Sequence, residues 1–233
     1  MTKADQHLDP LTISHHPTPE MLLADAAGAL SEGAALAVAC HASLCRDCSR
    51  EIQRLNAIGG EIIAEADPHP LSDDAMERML ARLDEPEPDP RLAVKAMFDT
   101  KTEAIAPAPL RPYLPASLGT LAWQRVGRMF EEVRLPLSGT GVKAALMRIQ
   151  PGRIMPRHSH AGLEYTVVLA GGYQDNGVAF RRGDYSEHDA GHEHQPVADR
   201  DGECLCLVVL DAPVRLTGFL GRSNTLEYLK SLG

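Results

Sequence analysis

Apolar positions recur at helical spacing through the first third of the chain and give way, from about residue 110, to short β-prone runs separated by glycine and proline. Thr18 is placed to cap a helix with Pro19 in its first turn; Met21, Leu22, Leu23 and Ala26 form its apolar side and Gly28 can close it. Ser31 caps a second, alanine-rich helix that carries His41. A third starts near Cys45 with Ile52, Leu55 and Ile58 at helical spacing, and Gly59-Gly60 should weaken it. After Asp67-Pro68-His69-Pro70, a capped start at Leu71-Ser72-Asp73-Asp74-Ala75 leads into Met76, Met79, Leu80 and Leu83 at i, i+3, i+4 and i+7. That fourth helix is flanked by proline on both sides, so its methionine-rich stripe is expected to stand detached and to suit a groove on a partner.

The run Glu85-Pro86-Glu87-Pro88-Asp89-Pro90 opens a flexible linker that is expected to reach Pro107-Ala108-Pro109. Beyond it, Leu121 to Val126, Val142 to Ile149, Tyr165 to Leu169, Val178 to Arg181 and Leu205 to Leu210 read as strands of a small sandwich or barrel. The expected organisation is multidomain α plus β: a small helical bundle with a detached fourth helix over residues 1–85, a proline-rich linker over 86–109, and a β-barrel over 110–233.

Composition narrows the class without deciding it. A chain of 233 residues with 44% hydrophobic and 24% charged residues is ordinary for a soluble globular protein, and no stretch is apolar enough to span a bilayer. The polar N-terminus does not resemble a signal peptide, which points to the cytoplasm and no membrane partner. The net charge of -9 disfavours direct nucleic-acid binding, and with it a metal sensor acting on DNA. Five cysteines, an odd number, argue against a disulfide framework; Cys40, Cys204 and Cys206 read as core thiols.

The remaining two thiols belong to a metal-ligand spacing. In His41-x3-Cys45-x2-Cys48, helical periodicity would place all three side chains on one face, and the upstream residues read as helix rather than as the strand that precedes a thioredoxin-like CxxC. Tetrahedral zinc needs a fourth donor, which His15 or His16 can supply; His16 is preferred because Pro17 and Thr18 tie it to the start of the next helix. Three short helices hold little core, so zinc would contribute much of their folding free energy, on the order of 10 kcal/mol.

A second spacing lies in the β-rich half: Gly152-x5-His158-x-His160-x3-Glu164-x6-Gly171, then Gly183-x5-Asp189-x-Gly191-x2-His194. Strand alternation sends His158 and His160 to one face, and Glu164 and His194 would return from neighbouring strands to the same divalent metal, with zinc the expected ion. This pattern resembles the two-part cupin motif, although Asp189 stands where that family usually has proline and Ala198 where many members carry asparagine. His7, His69, His188 and His192 read as solvated or hydrogen-bonded histidines; His192, two residues from His194, could exchange with it as a ligand.

Taken in order, the His16, His41, Cys45, Cys48 module, the helix beyond a hinge, the proline-rich linker and the cupin motif resemble the ChrR-type zinc anti-sigma factors over nearly the whole chain. The resemblance implies a regulator without catalytic residues. Its N-terminal domain would sequester an extracytoplasmic-function-type sigma factor, and its cupin β-barrel, a jelly roll, would release that factor in response to a reactive-oxygen signal. The competing reading is a metal-dependent cupin enzyme, a dioxygenase or isomerase, with an accessory zinc module; Tyr165, Tyr185 and Glu187 lie near the motif in sequence but form no recognisable acid or base arrangement.

Overall fold

The computed structural model describes residues 12–83, 85, 98–139 and 141–217. His7 and the first half of the expected linker, residues 86–97, lie outside them. Helices α1 (Pro19–Ala26) and α2 (Glu32–Leu44) begin where expected, with Thr18 Oγ1 accepting from the Met21 N–H and Ser31 Oγ from the Ala34 N–H. Helix α3 (Arg46–Glu65) differs from expectation by running straight through Gly59-Gly60. Both glycines have open space around them, so nothing crowds the backbone there, and their cost of about 0.5–1 kcal/mol each is spread over a helix of 20 residues. Helix α4 (Ala75–Leu83) buries none of its residues.

The end of the expected linker is also different. Asp99 caps a further helix, α5 (Thr100–Ile105), whose C-terminal neighbours Ala106 and Leu110 are fully buried. The proline-rich composition there marks tight turns against a core, not a flexible spacer.

Eleven strands follow among the described residues: β1 (Gln124–Val126), β2 (Phe130–Leu135), β3 (Lys143–Ile149), β4 (His158–His160), β5 (Glu164–Ala170), β6 (Gly172–Asp175), β7 (Val178–Arg181), β8 (Tyr185–His188), β9 (Val197–Ala198), β10 (Cys204–Leu210) and β11 (Val214–Leu216). They form a six-stranded sheet in the order β1-β2-β3-β10-β5-β8, a three-stranded sheet β7-β6-β9 and the pair β11-β4. The pairings are antiparallel throughout.

The central strands β5 and β10 are buried on both faces, which is why β10 reads as an unbroken apolar run and β5 as one from Val167 onward. Cys204, Cys206, Val208 and Val168 point into the core between the sheets, with Ile149, Met155, Tyr173 and Phe180. The alternate residues Leu205, Leu207, Val209, Val167 and Leu169 point the other way, into a core shared with Leu22, Leu36, Ala37, Val38 and Cys40 of the helices. The helical module therefore roofs the outer face of the sheet, with α2 against β5 and β10.

Gly33 makes this approach possible. A Cβ there would lie 2.8 Å from both Val142 Cγ1 and Val209 Cγ1. In an open helix Gly→Ala stabilises by roughly 1 kcal/mol. Here overpacking costs about 1–3 kcal/mol, and because both obstructing atoms belong to stiff β-branched side chains it should win. Gly33→Ala is expected to destabilise the protein by about 1–2 kcal/mol in urea unfolding; a stabilised variant would mean that α2 does not press on the sheet as described.

Candidate metal centres

The structure brings His16, His41, Cys45 and Cys48 together, with one ligand atom from each within 4.8 Å of the others. It does so differently from the expected single helix face. Along a continuous helix His41 and Cys48 would be separated by about 10 Å of rise, whereas His41 Nε2 lies 3.3 Å from Cys48 Sγ. The reason is a break: Cys45 is extended at φ -103°, ψ 110°, ending α2 and starting α3, so the two helices meet at the thiols. His16 Nδ1 completes the group at 3.4 Å from Cys45 Sγ and 3.5 Å from Cys48 Sγ. These separations approach the roughly 3.6 Å between nitrogen and sulfur around tetrahedral zinc.

His15 faces the other way, as the neighbouring residue of an extended segment must. Its N–H and that of Ser14 donate to Asp184 Oδ1 at 3.0 and 2.7 Å, its carbonyl accepts from the Tyr185 N–H, and its ring lies over Phe180. His41 Nδ1–H donates to the Gly183 carbonyl at 2.7 Å, which leaves the Nε2 lone pair for the thiol cluster. Burial lowers the His41 imidazole to about 4, so it stays neutral. Burial, aided by Cys45, pushes the Cys48 thiol up to about 12. A second thiolate in this pocket therefore requires a cation, and the two buried thiols remain free rather than joined as a disulfide. The donor set fits a structural zinc.

His158, His160, Glu164 and His194 form the second group. Strand β4 presents both its histidines inward, Glu164 opens β5, and His194 pairs with His158 through an isolated bridge. His194 Nε2 lies 2.9 Å from His158 Nε2 and 3.0 Å from His160 Nε2, and Glu164 Oε2 is 3.5 Å from His160 Nε2. The outer nitrogens are committed: His158 Nδ1–H donates to the Pro156 carbonyl and His194 Nδ1–H to Asp175 Oδ2, both at 2.8 Å. Neutral rings held this way turn Nε2 lone pairs toward one another at 2.9 Å, a repulsive contact unless a cation sits between them. Burial lowers the imidazole of His160 to about 4. Burial pushes the Glu164 carboxyl up, but the surrounding histidines outweigh it and hold the acid below its usual range. Three neutral imidazoles and a carboxylate fit a divalent ion.

Asp175 was not legible as a site residue. It ends β6 at the turn Asn176-Gly177, where φ values of 47° and 82° make a tight hairpin, and that Asn-Gly pair was the available signal. Asp184 was also missed; its carboxylate binds the segment that carries His16. Of the two expectations for His188, solvated or hydrogen-bonded, the second holds: it lies buried in β8 with Nε2 3.3 Å from Asp175 Oδ2. His192 is half-buried against His188, and His194, not His192, enters the inner cluster. His69 is exposed as expected.

Residues 116–213 match the ChrR cupin-like domain family. The chain is 38% identical over 210 residues to the anti-sigma-E factor ChrR of Cereibacter sphaeroides, covering 90% of this chain and 95% of that protein. It also resembles the crystal structure of Rhodobacter sphaeroides SigE in complex with the anti-sigma ChrR. That match has a TM-score of 0.74 and 36% identity, and covers 86% of this chain and all of the matched one. With its helical N-terminal region and cupin-like β-domain aligned almost end to end with that relative, the chain belongs to the ChrR family of anti-sigma factors.

Proposed function

We propose that this protein is a cytoplasmic anti-sigma factor: its N-terminal zinc module, residues 1–85, sequesters an extracytoplasmic-function-type sigma factor, and its cupin domain, residues 110–233, governs release on a reactive-oxygen signal. The whole-length similarity to an anti-sigma factor carries the reading. A surface of the right kind accompanies it. Ile58, Ile62 and Ile63 at the end of α3 and Met76, Met79, Leu80 and Leu83 on α4 are 46–76% exposed, far more apolar surface than one segment of a monomer normally leaves in water. An amphipathic helix with no buried residue of its own is the docking element expected for a helical partner. No helix among the described residues is long and apolar enough to cross a membrane.

The enzyme reading meets a physical obstacle beside the inner metal group. The cavity that His158, Glu164 and His194 share with Met147, Met155, Tyr173 and Cys206 measures about 60 Å³ and is mainly apolar. Small-molecule sites usually need several hundred Å³. A cavity of this size admits a species no larger than a few heavy atoms, which suits a small oxidant better than an organic substrate.

Zinc is the ion we assign to the N-terminal group, and also to the inner cupin group. In the full-length protein, Cys45→Ala or Cys48→Ala should each remove one zinc and lower the helical circular dichroism while the β-signal persists; undiminished zinc in both would overturn the assignment. Met79→Asp with Leu80→Asp should weaken binding of the sigma factor at least about 30-fold, the loss of one interface hot spot of about 2 kcal/mol, with an unchanged Tm. Unaltered affinity would place the interface elsewhere. His160→Ala with Glu164→Ala should retain sigma binding yet abolish induction of the target promoter by oxidant. Normal induction would remove the inner metal from signalling, and a metal-dependent turnover lost in the same variant would establish the enzyme instead.

A further inference from the structure

We propose that Asp175, His188 and His192 form an outer divalent-metal site in the cupin domain, sharing the His194 imidazole with the inner one. Together with His194 they offer four ligand atoms within 4.8 Å of one another, and they come from β6, β8 and the loop after β8. Asp175 Oδ2 is 2.8 Å from His194 Nδ1 and 3.3 Å from His188 Nε2, and the His188 ring centroid lies 4.6 Å from that of His192 and 4.3 Å from that of His194. The second oxygen of this carboxylate, Oδ1, and the Nδ1 of His188 are buried without a hydrogen-bond partner. Buried polar atoms without a protein partner are costly, and they mark Asp175 and His188 as residues whose polar groups the protein alone does not satisfy.

The two ends of His194 face different groups: Nε2 meets His158 and His160, while Nδ1 meets Asp175. Loading both positions makes His194 a bridging imidazolate. Its Nδ1 proton leaves to solvent as the outer ion replaces it, and Asp175 exchanges a hydrogen bond for a metal bond. Three imidazole nitrogens and one carboxylate suit zinc, copper(II), nickel or cobalt over magnesium or calcium. His192 is half-buried and lies 3.5 Å from the Asn176 amide, placing it at the exposed side where an ion can enter and leave.

Zinc content at saturation, measured by chelator competition and metal analysis on the full-length protein, tests the site. The His188→Ala, His192→Ala double variant should hold one zinc fewer than wild type, and His192→Ala alone, a change at a half-exposed position that leaves the fold intact, should release that same zinc at least tenfold more readily. His160→Ala should instead lose the inner zinc, so the two assignments fail separately. An unchanged zinc count in the double variant together with unchanged zinc retention in His192→Ala would overturn the outer site.

Discussion

The hydrogen bond from His41 Nδ1–H to the Gly183 carbonyl is the contact on which the architecture turns. It fixes the ring orientation of a thiol-cluster histidine, yet its acceptor belongs to the β-domain 142 positions away. Gly183 has to be glycine for two reasons: its φ is +93°, and a Cβ there would fall 2.6 Å from Ile13 Cδ1. The next residue, Asp184, holds the backbone of Ser14 and His15, so the segment leading to His16 is pinned by the same turn. Two of the four N-terminal donors thus take their positions from the loop before β8.

This explains why a small helical module needs little core of its own. Ala37, Val38 and Cys40 are fully buried, but much of what covers them is the outer face of β5 and β10. On the proposed function, zinc and the sheet would share the work of holding α1, α2 and α3. The exposed end of α3 and all of α4 lie outside this shared core, which leaves their apolar side chains available for a partner.

The sequence was most legible where chemistry demands spacing. The His158, His160, Glu164, His194 pattern and the thiol pair with His16 could be read because ligand geometry constrains residue types at fixed separations, and the helix starts could be read because caps are local. What escaped depends on the third dimension. A helix start near Cys45 was legible, but not that the break there, by turning α3 away from α2, is what brings His41 beside Cys48. The short strands β2, β6 and β8 carry charged or polar residues that hide their period, and the role of Asp175 follows from a hairpin returning it beside His194. The proline-rich end of the linker was misread because burial of Ala106 and Leu110 is a tertiary fact. Most instructive are β10, apolar throughout, and the end of β5 over residues 167–170: these runs already stated that both faces are covered, which a separate β-domain joined by a flexible tether would not require.

That double burial also constrains how any signal could travel between the two candidate metal groups. Separating the modules would expose Leu205, Leu207, Val209, Ala37 and Val38 together. At roughly 1.5–3 kcal/mol for each large side chain, the cost approaches the entire stability of a domain, about 5–15 kcal/mol. Couplings between distant sites are typically about 1–3 kcal/mol, well short of that cost. A local change is of the right size. Strand β8 runs from the Gly183-Asp184 turn to His188, and its pairing with β5 sets His188 opposite Glu164. A shift of β8 on loss of the inner ion would act on the Gly183 carbonyl and the Asp184 carboxylate, where a hydrogen bond is worth about 0.5–1.5 and about 1.5–3 kcal/mol respectively. On the proposed function, release of the sigma factor therefore proceeds by loosening the His41 and His16 supports while α2 stays seated on the sheet.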